Sequence, residues 1–186
     1  MQIVIISGSV RTGRKSDRVA TYFDQYIREN NIANVKTVDL LKLNFPVFDE
    51  RLKFQNTPTP EMLEFAATVT NADGIIIITP EYNGGYPASL KNAVDLLYSE
   101  WQGKPVAIVS VSNGPFGGTQ VLQSFQFVLF KMGVWTVPVM YPVANVEKAF
   151  DENGVPSDKE TSDKFTAAFL KKLLWYMEAN AKMKRL

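Results

Sequence analysis

Three short stretches of this chain concentrate residues that could hold a charged, flat ligand: Gly8–Arg18, Thr79–Pro87 and Ser112–Gly118. In the first, GSVRTGRKSDR, small residues let the backbone curl so that its N–H groups converge on an anion such as a phosphate. Ser9 and Ser16 add hydroxyl donors there, and Arg11 adds a planar fork matched to phosphate oxygens. The stretch is neither GxxxxGK[ST] nor GxGxxG, which argues against a P-loop NTPase and against a Rossmann nicotinamide site here. A solvated basic turn that caps a helix is the other reading. Arg14 and Lys15 are expected to be exposed, where either could attract a second, phosphorylated ligand. In the second stretch, TPEYNGGYP, backbone beside Pro80 and the glycines can meet the edge of a planar heterocycle. Tyr82 and Tyr86 offer aromatic surface, and Asn83 offers both a donor and an acceptor. Glu81 is expected to cap or to accept backbone N–H bonds rather than to shuttle protons. The third stretch holds Ser112, Asn113 and Gly114 and runs into a helix start, where N–H groups can stabilise negative charge on a reduced ring. A turn that serves only chain reversal is the alternative for it.

The residue types that are missing narrow the chemistry. Cysteine is absent, which removes thiol nucleophiles, disulfides and thiolate metal sites, and fits a cytoplasmic protein. Histidine is absent too, which removes Ser-His-Asp triads, imidazole bases and His-ligated zinc. An enzyme built this way needs a bound cofactor to carry the hard chemistry. A net charge of +1 points to no nucleic-acid or membrane-surface partner. The basic cluster Lys182, Lys184 and Arg185 is expected to be a solvated helix end. The opening MQIVIISGSV reads as a first strand rather than a signal peptide, and no apolar stretch is long enough to span a bilayer.

The elements that must position the three stretches alternate strand with helix. Apolar runs predict strands at Gln2–Ser7, Val35–Leu40, Gly74–Thr79, Pro105–Val111 and Val134–Val139. A helix capped by Ser16 runs to about Asn30, with Val19, Tyr22, Phe23, Tyr26 and Ile27 on one face. Further helices are expected over Pro60–Asn71, Pro87 to about Tyr98, Thr119–Met132 and Lys159–Lys182, and Asn44–Pro60 is expected to be a long loop. Such alternation over 186 residues predicts one α/β domain, residues 1–186, a three-layer sandwich around a five-stranded parallel sheet. Of the common doubly wound orders, five strands favour 2-1-3-4-5. The three stretches then follow strands 1, 3 and 4, at the carboxyl edge where ligands bind in such sheets.

These residues resemble the NADPH-dependent FMN reductase family, with its flavodoxin-like quinone reductases and azoreductases. The likeness covers nearly the whole chain. It is carried by Gly8-Ser9-Val10-Arg11 with Ser16–Ala20, by Thr79-Pro80-Glu81-Tyr82-Asn83 leading to Ser89–Asp95, and by Ser112–Gly118. The resemblance implies bound FMN, with Ser9, Arg11 and Ser16 at its phosphate. It places Pro80, Glu81, Tyr82 and Asn83 along the isoalloxazine edge, and Ser112, Asn113 and Gly114 on its other side. It implies NADPH or NADH as electron donor, hydride transfer through flavin N5, and a ping-pong cycle ending on a small acceptor: a flavin, quinone, azo compound or metal oxyanion. It also implies a homodimer or homotetramer. Gly84-Gly85 departs from relatives with bulkier residues there and would open the pocket above the ring.

Three other readings compete. A flavodoxin-type FMN electron carrier would share fold and cofactor but favours a Ser/Thr-rich loop and an acidic surface. A receiver domain needs acidic residues after strand 1 and an Asp after strand 3, where this chain has Ser7-Gly8 and Pro80-Glu81. A hydrolase or transferase on this fold would lack flavin. As a helix, Val121–Phe130 is apolar almost all round, which asks for cover by a partner subunit or by neighbouring helices. Tyr98, Trp101 and Trp135 could join the core or that interface, and are expected in the core.

Overall fold

The computed structural model describes residues 1–184, so Arg185 of the basic cluster lies outside the described residues. In chain order it contains β1 (Gln2–Ser7), α1 (Ser16–Glu29), β2 (Asn34–Asp39), α2 (Leu40–Leu43), α3 (Pro60–Asn71) and β3 (Gly74–Pro80). There follow α4 (Ala88–Leu96), β4 (Pro105–Val111), α5 (Gln120–Lys131), β5 (Trp135–Val143), α6 (Val146–Ala149) and α7 (Lys159–Met183). The sheet has five strands in the order β2-β1-β3-β4-β5, all parallel.

Layering follows from the strands' side-chain alternation. Ile75 and Ile77 of β3 face α3, α4 and α5, where Phe65, Leu90 and Phe125 are buried. Ile76 and Ile78 face α1 and α7, where Phe23 and Phe169 are buried. Both faces of β1, β3 and β4 are covered, which is why these strands read as unbroken apolar runs.

Several boundaries differ from the sequence reading. β2 ends at Asp39, not Leu40, because the Asp39 carboxylate accepts the Leu41 N–H and caps α2. The residue before α1 is Lys15, without a side-chain cap, and Ser16 is the helix's first residue. β5 runs four residues past Val139, to Val143. It is the sheet edge, so Pro138 and Pro142 are tolerated although they interrupt a strand pattern. Trp101 is fully buried, as expected, but Tyr98 and Trp135 lie at the surface. Tyr98 falls beyond the end of α4, and Trp135 sits on the edge strand.

Candidate active site

The three stretches leave the carboxyl ends of β1, β3 and β4, and hydrogen bonds tie them together. Gly8 donates its N–H to the Ile78 carbonyl at 2.9 Å, and the Ser89 hydroxyl donates to the Gly8 carbonyl at 2.8 Å. These bonds fix the first loop against β3 and α4. Ser9 is buried, with its hydroxyl 2.9 Å from the Tyr82 hydroxyl. Tyr82 is itself held by a tight turn: Tyr82 and Gly85 exchange backbone bonds of 2.8 and 3.0 Å around Asn83 and Gly84. Both central residues have positive φ, 53° and 77°, as a type I′ turn requires, and Asn-Gly is the pair that adopts it most readily. The second loop is joined to the third where the Glu81 carboxylate accepts the Gln120 N–H at 2.9 Å, at the start of α5.

Between the loops lies a cavity of about 290 Å³. Ser9, Arg11 and Ser16 line it from the first loop, Pro80, Glu81 and Tyr82 from the second, and Ser112 and Asn113 from the third. Two sequence candidates stand outside its wall. Asn83 is the exposed tip of its turn, and Gly114 folds back on Ser112, its N–H donating to the Ser112 hydroxyl at 3.0 Å. Tyr86 also stays out of the cavity, packing instead on Phe125 with ring centroids 4.9 Å apart.

Arg14 corrects the sequence reading. Its guanidinium is 12% exposed and grips Asp39 with two bonds, of 2.5 and 2.6 Å. The same group donates to the Ser9 carbonyl at 2.7 Å. The Asp39 hydrogen bond raises the Arg14 pKa further against the opposing effect of burial. Burial opposes ionisation of Asp39, but Arg14's hydrogen bonds and charge, with the Leu41 N–H, outweigh it and hold the carboxyl below the usual range. Arg14 is therefore paired within the protein rather than solvent-exposed, and its side chain also lines the cavity. Lys15 is partly exposed and pairs with Glu147 at 3.4 Å.

Glu147 is a wall residue that sequence reasoning missed. It comes from α6, after β5, and also accepts a bond from the Asn113 side chain at 3.1 Å. Nothing local marks it: an acidic residue in a helix's first turn is ordinary, and its partners lie in distant loops.

The cavity's donor set suits a phosphate. Ser16 is 2% exposed, lines the cavity at the start of α1, and its hydroxyl has no hydrogen-bond partner among the described residues. A buried hydroxyl left unpaired is costly unless a ligand completes it. The α1 amino terminus and Arg11, at the rim, add positive potential. Pro80 and Tyr82 line the same cavity from the second loop.

A parallel sheet of this order, with a ligand cavity at the switch between β1 and β3, defines a flavodoxin-like protein. The sequence model of the NADPH-dependent FMN reductase family matches residues 1–148, and the chain belongs to that family. The matched span takes in every residue that lines the cavity. The chain is 34% identical over 162 residues to the NAD(P)H-dependent FMN reductase LOT6 of Saccharomyces cerevisiae, covering 78% of this chain and 84% of that one. It is 29% identical over 187 residues to a quinone reductase of Pseudomonas putida, covering 96% and 95%. Among solved structures it is similar to FerB, the flavoenzyme NAD(P)H:(acceptor) oxidoreductase of Paracoccus denitrificans. That likeness has a TM-score of 0.76 at 20% identity, covers 95% and 97% of the two chains, and bears on the fold. No helix among the described residues is long and apolar enough to cross a membrane.

Proposed function

We propose that this chain is a cytoplasmic NAD(P)H-dependent FMN oxidoreductase that passes electrons to a small acceptor. The observation that carries the reading is the switch-point cavity, with its unpaired Ser16 hydroxyl, inside the span that matches the family. Bound FMN supplies the hydride-accepting and electron-donating chemistry. The chain's own residues bind and orient. Ser9 and Ser16 would donate to its phosphate, and Arg11 would offer its fork to the phosphate oxygens. Pro80, Glu81 and Tyr82 edge the ring, and Ser112 and Asn113 hold the opposite side. Asn83 and Gly114 act by shaping the backbone turns that carry their neighbours. No wall residue is a histidine or cysteine, so imidazole and thiol catalysis have no part in the cycle. Donor and acceptor taking turns at one cavity mouth would give ping-pong kinetics.

Names of the relatives support reductase over electron carrier, since both curated relatives above are reductases. The working unit is proposed to be a homodimer or homotetramer. Phe127 and Phe130 of α5 support this, since they are 65% and 72% exposed on one side of a helix whose other face fills the core. The visible absorption spectrum of the purified protein, followed by anaerobic NADPH, tests the reading. A yellow protein that bleaches and regains colour in air is the expected result. A colourless protein that neither takes up added FMN nor oxidises NADPH with it would overturn the proposal.

A further inference from the structure

The Arg14–Asp39 pair is built more firmly than a loop that only reverses the chain needs. Both side chains are largely buried, at 12% and 15% exposure, and the guanidinium meets the carboxylate edge to edge through two bonds of 2.5 and 2.6 Å. Asp39 is a rigid anchor, because it is the last residue of β2 and pairs in register with Ser7 of β1. Its Oδ1 also accepts the Leu41 N–H at 3.0 Å. From that anchor Arg14 reaches across the first loop and donates to the Ser9 carbonyl at 2.7 Å. Ser9 in turn meets Tyr82 through its hydroxyl and receives a longer bond of 3.4 Å from the Arg11 N–H. A chain of contacts thus runs from the sheet edge, through one guanidinium, to the backbone that bends around the cavity.

The pair's charge is matched within the protein, so Arg14 contributes geometry to the cavity more than attraction. Ser16, at the other end of the same loop, keeps its unpaired hydroxyl at the cavity wall, and Gly13, Arg14 and Lys15 line that wall beside it. We infer that Asp39 is a positioning residue for the phosphorylated end of the flavin, holding Arg14 so that the loop presents the Ser9 and Ser16 hydroxyls and the α1 amino terminus to a phosphate. The inference rests on the proposed placement of the FMN phosphate at this loop. Asp39 touches no ligand. It makes phosphate capture depend on a carboxylate of the neighbouring strand, and it confers preference for FMN over riboflavin, which has the same ring and no phosphate.

The test uses flavin fluorescence quenching on the full chain, freed of flavin, with FMN and riboflavin titrated separately. Asp39→Asn keeps an oxygen to cap α2 and loses the charge that fixes Arg14. Its FMN dissociation constant is expected to rise about tenfold, as one hydrogen bond to the phosphate loosens with the loop, with riboflavin affinity unchanged. NADPH oxidation by the same variant, saturated with FMN, should keep its kcat. Asp39→Glu, which restores the carboxylate, should recover part of the FMN affinity. If Asp39→Asn does not fold, Arg14→Lys is measured in the same way, since it leaves the α2 cap untouched and replaces the fork with a point charge. A folded variant with unchanged or tighter FMN affinity overturns the inference. So does an equal loss for FMN and riboflavin, which would show a general loosening of the site. Wild-type protein that binds riboflavin as tightly as FMN would overturn the phosphate placement itself, and the inference with it.

Discussion

Ser9 and Ser16 face the same cavity from the same loop, but their hydroxyls are satisfied differently. The Ser9 hydroxyl is paired with Tyr82, whereas that of Ser16 is buried without a partner among the described residues. Replacing each with alanine should separate folding from binding. Ser16→Ala removes an unpaired polar group, so the flavin-free protein should melt at the same temperature or higher. Its FMN affinity should fall by about tenfold, the worth of one hydrogen bond to a charged group. Ser9→Ala should cost the flavin-free protein about 1 kcal/mol as well, since it strands the Tyr82 hydroxyl. Calorimetric melting with and without FMN checks both. A Ser16→Ala protein that melts lower without FMN would show that the hydroxyl is already satisfied.

Glu147 places negative charge in the wall of the cavity proposed to take the FMN phosphate, and it occupies Lys15. Glu147→Gln should therefore tighten FMN binding, by up to about fivefold given how exposed the pair is, and the gain should shrink as salt is raised. Asp39 sets a pH dependence of the opposite kind to a lysine's. Its folded pKa lies below the unfolded one, so its stabilising contribution is complete above the unfolded value and is lost as pH falls through the folded value. In acid titration below about pH 4, the wild type should lose stability more steeply than Asp39→Asn, which has no carboxylate at that position to protonate.

At the scale of elements, the sequence announced most of what the structure contains, and the exceptions have physical causes. β1, β3 and β4 were legible because strands buried on both faces must be apolar throughout. β5 extends past Val139 and through Pro142 because an edge strand tolerates prolines that a central strand would not. The three loops were legible from glycine and small polar residues, but the ties between them were not. Arg14 looks like a solvent-facing residue until β2 brings Asp39 beside it, and Glu147 joins the cavity only because β5 ends next to β4.

Two substitutions test how elements hold the site. Gly117 has φ of +63°, and a Cβ there would stand 2.8 Å from the Pro142 Cβ and 3.1 Å from its backbone carbon. Gly117→Ala should cost on the order of 2 kcal/mol and also weaken FMN binding, since Ser112 and Asn113 belong to the same loop. Lys104 sits before β4, at the amino edge of the sheet, away from the cavity. Its buried ammonium donates to the Thr70 and Ala72 carbonyls at 2.7 and 2.9 Å and so closes the end of α3. Lys104→Met should lower stability by roughly 1–3 kcal/mol while leaving FMN affinity unchanged. Urea unfolding paired with flavin titration separates the two cases.

For the whole molecule the open question is what covers the outer face of α5. Val121, Leu122, Phe125 and Leu129 fill the core, while Phe127 and Phe130, three residues apart, share a side that points outward. Phe127 also lines a groove of about 460 Å³ with Phe48, Tyr98 and Met132. Phe116, in the third loop beside the cavity, is 82% exposed, so apolar surface reaches the functional edge of the sheet as well. A second copy of the chain is the proposed cover, and burying two such aromatic rings is worth roughly 3–6 kcal/mol for each subunit, before the entropic cost of binding. Sedimentation of the wild type should give a mass that is a multiple of the 20.9 kDa chain. Phe127→Glu combined with Phe130→Glu should reduce it to the monomer without lowering the melting temperature of the isolated chain, because neither ring contributes to the core. A wild-type protein that sediments as a monomer at micromolar concentration would remove the dimer and tetramer from the functional account, and the α5 face would then be ordinary exposed surface.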